Sequence, residues 1–120
     1  MPYDPDLAAR IRDHLAGTPL LVEKKMFGGV GWTIGGHMAA GAHNDGKLMI
    51  RCAKEDFVDF ISEPGAGGMK RGASLLTGWV LVESAPVSAD AALHRWLDRG
   101  SAYAGGLPPK KPKTRKPRKK

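Results

Sequence analysis

Cysteine is almost absent from this 120-residue chain, where Cys52 stands alone. One thiol closes no internal disulfide and cannot by itself build a thiolate metal site, so a disulfide scaffold and a cysteine-based zinc module are both excluded. A reducing cytoplasm is the expected setting. Long apolar runs are also lacking, and none approaches the ~20 residues a membrane helix needs. The opening MPYDPDLAAR is acidic and carries no apolar stretch behind a positive region, so no secretory signal and no membrane partner are expected. Acidic residues, finally, are missing from the last eleven positions. Lys110, Lys111, Lys113, Arg115, Lys116, Arg118, Lys119 and Lys120 are eight of the chain's 19 bases, which leaves 11 bases against 12 acids in residues 1–109, a balance of −1. The strongly basic character therefore belongs to one end of the chain, not to a globular surface.

What is present is enough for one small domain, with 42% apolar residues in a length suited to a single core. Asp4 and Pro5 form a helix start, and Leu7, Ala8, Ile11 and Leu15 recur at helical spacing up to Gly17, predicting a helix over about 5–16. From Leu21 to Cys52 extended segments alternate with tight turns at Gly35-Gly36 and Asp45-Gly46. Three strands are expected there, over about 22–34, 37–43 and 47–52, the first interrupted by a bulge at Gly28-Gly29. A helix follows over 54–62, with Phe57, Phe60 and Ile61 on one stripe. Two more strands are expected, a short one near 69–72 and a buried one over 78–84. A last helix is predicted from a Ser88 cap with Leu93, Trp96 and Leu97 inward. The pattern gives an α+β fold in the order α-β-β-β-α-β-β-α, with a five-stranded sheet. Residues 1–107 are read as the folded domain, and 108–120, which contain only Pro, Lys, Arg and one Thr, as a disordered tail with nothing apolar to offset its ordering entropy.

Few patterns here carry chemistry. Gly29-Val30-Gly31 starts a dinucleotide-type G-x-G-x-x-G, but Ile34 stands where the third glycine belongs and the loop enters a strand instead of a helix, so no cofactor is expected. His37 and His43 lie six residues apart on one predicted strand, about 20 Å at ~3.3 Å per residue, too far to share a metal. Cys52 continues the face of Leu48 and Ile50 and reads as a small core hydrophobe, although a small enzyme or ligand-binding domain using the glycine-rich hairpin region and Cys52 is the competing possibility. Trp32, Trp79 and Trp96 read as core or core-edge residues, not as a base-stacking platform.

The run Glu23-Lys24-Lys25-Met26-Phe27-Gly28-Gly29-Val30-Gly31-Trp32 resembles the opening signature of the TfoX/Sxy N-terminal domain family, known from regulators of natural competence in bacteria. Asp45-Gly46-Lys47-Leu48, then Gly78-Trp79-Val80-Leu81-Val82, then Leu107-Pro108 with following lysines, fall in the family's order, so that the resemblance covers about residues 5–109. It implies helices packed on one face of a mainly antiparallel sheet, of the type seen in secretion-chaperone-like domains. It also implies a non-enzymatic, regulatory or interaction role, with a protein partner in transcription. Within the signature, Met26, Phe27, Gly28, Gly29, Gly31, Gly78 and Trp79 are expected to be structural, Phe27 as a core anchor and the glycines as backbone bends. The eight tail bases are the expected nucleic-acid contacts, through phosphate neutralisation without base reading.

Overall fold

The computed structural model describes residues 3–26, 28–43 and 45–107, without the side chains of Met26, Arg71 and Pro86. Helix α1 spans Pro5–Leu15, its first turn closed by Asp4, whose Oδ1 accepts from the Asp6 amide at 2.9 Å. Strands β1 (Leu21–Met26), β2 (Gly29–Ile34), β3 (His37–Ala42) and β4 (Leu48–Arg51) follow as an antiparallel meander. Helix α2 (Lys54–Ile61) leads to a second hairpin, β5 (Ala66–Arg71) and β6 (Ser74–Val82). A 3-10 turn at Pro86–Ser88 precedes helix α3 (Asp90–Gly105). The sheet order is β1-β2-β3-β4-β6-β5, antiparallel throughout.

The class is the α+β arrangement expected, but the sheet has six strands instead of five. The segment read as one bulged strand over 22–34 is a hairpin. Met26 pairs with Gly29 across a two-residue connection in which Gly28 has φ +79°, a conformation that turns the chain back instead of merely kinking it. Both Gly35 and Gly36 have positive φ, as the anticipated turn there requires. The last strand begins at Ser74 instead of Gly78, because β6 pairs with β5 on both sides of Gly78, the two segments meeting irregularly between them. Ser88 does not cap α3. Its hydroxyl is turned back to the Ala85 carbonyl at 2.8 Å and the cap position is Ala89.

Alternation assigns the sheet two unlike faces. Val30 and Trp32, Ala40 and Ala42, Leu48 and Ile50, and Val80 and Val82 project into one core with α1, α2 and α3, where Leu7, Ile11, Phe57, Leu93, Trp96 and Leu97 meet them. Trp32 and Ile11 are fully buried. Helix α3 lies close on β3 because Gly100 has no side chain: a Cβ there would run into the Ala39 carbonyl. Ala39 is itself an extra residue in β3, opposite the Trp32–Thr33 step of β2. Outside the core, Glu23 on the edge strand β1 receives Arg12 through two bonds of 2.7 and 2.8 Å and the Trp32 indole N–H at 3.2 Å. The Arg12 hydrogen bond holds the Glu23 carboxyl below its ordinary range despite partial burial. That contribution is present above the unfolded carboxylate pKa and fades as pH falls through the lowered value.

All of these elements end by Gly105, and the deepest residues of the core end at Ala104. Deleting residues 108–120 is therefore expected to move Tm by less than about 4 °C, the shift that ~1 kcal/mol gives in a domain of this size. A larger drop by calorimetry would show that the basic segment contributes to the fold.

Candidate functional site

The sheet face away from the helices is open, and its residues are the odd partners of the core positions. Gly31 and Gly41 are neighbours on β2 and β3, and Gly41 faces Met49 on β4. The two glycines leave a flat patch of backbone, and Met49 folds over it, its methyl 2.7 Å from where a Cβ on Gly41 would stand. Beyond that patch lies a groove of about 310 Å³, walled by Met38, Met49, Met69, Leu76 and Trp79 and floored by the Gly29–Gly31 backbone. Nearly all of its lining is apolar, with His43 at one rim.

His43 belongs to the β3–β4 turn. Its Nδ1 lies 2.8 Å from Asp45 Oδ1, and the same oxygen accepts the Lys47 amide at 3.0 Å. Burial pushes the Asp45 carboxyl up, but the bonds from the Lys47 amide and His43 outweigh it and hold the group below its ordinary range.

At the other end the groove meets a second cavity of about 310 Å³, Met38 and Trp79 lining both. Its polar lining comes from Thr33, His37, Arg51 and Tyr103. Arg51 sits opposite Trp79 in the β4–β6 ladder, its guanidinium 4.9 Å from the Trp79 ring and 5.2 Å from that of Tyr103 on α3. Its Nη1 donates to the Cys52 carbonyl at 3.1 Å and to the Gly78 carbonyl at 3.2 Å. Gly78, at φ +93°, makes this possible, since a Cβ there would strike the guanidinium and stand 3.0 Å from the Cys52 carbonyl.

Cys52 is 1% exposed and turned to the helix side with Ile50 and Phe57. Burial pushes its thiol above the ordinary range, Asp56 adds to that, and Arg51 offsets it only in part. A nucleophile needs the thiolate in reach of a substrate, and this group has neither property. The competing possibility thus divides: the glycine-rich hairpin does border a cavity, but Cys52 lies behind the sheet from it. Among the described residues, no group of three or more His, Cys, Asp or Glu could hold a metal ion.

The sequence motif falls partly on this site. Gly29, Gly31 and Trp79 line the groove, Gly78 seats Arg51, and Gly28 makes the β1–β2 turn. Met26 ends β1, its side chain outside the described residues, as is the whole of Phe27. The tail bases Lys110 to Lys120 also lie outside them; Leu107, the last described residue, borders the second cavity. His37 and His43, expected on one strand, lie on either side of the Ala39 bulge, His43 just past the end of β3, and line different cavities. Two associations had no local signal in the sequence. One is Arg51 stacked on the Trp79 ring. The other is His14 stacked on His94 with centroids 4.0 Å apart, His14 Nε2 lying 2.8 Å from Asp98.

The family model described as TfoX N-terminal domain matches residues 13–104, most of the chain and all of the elements just described except the start of α1 and the end of α3. No curated protein and no solved structure matches it. No helix among the described residues is long and apolar enough to cross a membrane.

Two outcomes follow from this geometry. Gly78→Ala is expected to lower stability by about 2 to 4 kcal/mol, through backbone strain and the displaced guanidinium, read as a shifted urea midpoint. An unchanged midpoint would mean that Gly78 is replaceable. Cys52 should react with a thiol reagent at pH 8 at least about a hundredfold more slowly in the folded protein than in denaturant, because only opening exposes it. Equal rates would place the thiol at the surface.

Proposed function

Because this chain belongs to the TfoX N-terminal domain family, we propose that it is a non-enzymatic, transcription-associated interaction module whose basic segment serves as a non-specific arm for nucleic acid. The family is one of regulatory domains, and the burial of this member's single thiol in the core is in keeping with that role. The observation that carries the arm is the segregation of charge. Eight bases and no acid occupy Lys110 to Lys120, whereas residues 1–109 balance at −1 and offer a polyanion little attraction of their own. Prolines at 108, 109, 112 and 117 favour extended backbone, which suits a segment that tracks phosphates.

Fluorescence anisotropy on a labelled duplex tests this reading, comparing the full chain with a variant in which all eight bases are replaced by glutamine. If five or six phosphates are neutralised, log Kd should change with log salt at a slope of magnitude about 4.5 to 5.4, and scrambling the duplex sequence should matter little. The glutamine variant should lose binding. Equal affinity of the two proteins would move the nucleic-acid site into the folded domain, and no binding by either at low salt would remove it altogether.

A further inference from the structure

The groove and the cavity it meets combine two environments that a single small ligand can span, independently of the basic arm. The groove is apolar, about 310 Å³, at the lower end of the range typical of small-molecule sites. Its character is aromatic-receptive more than merely greasy. Three thioethers, from Met38, Met49 and Met69, surround it, and the Trp79 indole forms a wall. An alkyl chain would use none of these features in particular. The adjoining cavity is its polar counterpart. Thr33, Arg51 and Tyr103, whose side chains carry hydrogen-bond donors, line it, and no carboxylate is among its lining residues. Arg51 is held from behind by two carbonyls and flanked by two rings, an arrangement that fixes its position while leaving its charge uncompensated by an acid. We infer that the apolar groove on the open sheet face, together with the cavity it meets beside the end of α3, binds a planar aromatic carboxylate, its rings between the methionines and Trp79 and its anionic group at Arg51 and Tyr103.

The test uses the full chain, with 1-naphthoate and its uncharged amide, 1-naphthamide, as probes, followed by amide and methionine-methyl NMR. Naphthoate should shift the Gly31 and Gly41 amides and the Met38, Met49 and Met69 methyls in a saturable way, while Leu93 and Leu97 in the helix-side core stay in place. Naphthamide should bind at the same resonances about tenfold more weakly, the difference a charge-assisted contact supplies. Met69→Glu places a carboxylate in the apolar part and should abolish binding of both probes. Tyr103→Phe, which removes only a hydroxyl, should narrow the gap between the probes without affecting the fold. Equal affinities would overturn the anionic end of the assignment. Shifts confined to residues 108–120 or to the helices, or no saturable shift, would overturn the site. Concentration-dependent shifts of the groove resonances without probe would assign the face to a second copy of the chain. Groove shifts on replacing the eight tail bases by glutamine would assign it to the chain's own tail. Either of these results would likewise overturn the proposal.

Discussion

The Gly78 carbonyl is where the two halves of the sheet are fastened. It accepts the Cys52 amide at 2.8 Å and the Arg51 guanidinium at 3.2 Å, so the end of β4 is tied to the middle of β6 by a backbone bond and a side-chain bond together. A residue with a side chain cannot occupy this place without displacing Arg51. From this junction the chain diverges in two directions: Cys52 goes inward beneath α2, and Arg51 goes outward between Trp79 and Tyr103. The second cavity is lined by that outward arginine, and the apolar groove is bounded on one side by the indole it stacks on.

Burial is distributed unequally around this junction. Three helices cover one face, and the large side chains there are buried together in one core. On the other face, small residues and methionines replace them. All six residues of β2 are nevertheless buried, although it is only the second strand from an edge. Val30 and Trp32 are covered by the helices; Gly29 and Gly31 are covered because they are short and the methionines overhang them. Methionine suits such a position because its unbranched thioether can repack around different shapes.

Elements governed by neighbouring residues were legible in the sequence. Asp4 and Pro5 determine where α1 begins, Gly35-Gly36 and Asp45-Gly46 locate their turns, and the Leu48, Ile50, Cys52 alternation gives the inner face of β4. Features set by distant partners were not. A Gly-Gly pair serves equally as bulge or turn, and only the pairing of β1 with β2 makes Gly28 a hairpin corner. Gly78 looked like a strand start because its role is to bend β6 around an arginine 27 residues earlier. Trp79 gave no sign of its arginine, since cross-strand register, not proximity in sequence, brings them together. The groove itself was invisible for the same reason: its methionines come from β3, β4 and β5, and no local spacing relates them.

The side-chain alternation of β2 has a consequence for substitution. Val30 and Trp32 answer to the helices, so changes there are charged against folding. Gly29 and Gly31, between and beside them on the same six-residue strand, answer to the space in front of the sheet. A side chain added at one of these glycines would stand on the groove side of the strand. Alternate residues of one short strand therefore answer to two different constraints, the packed core on one side and the shape of the open face on the other.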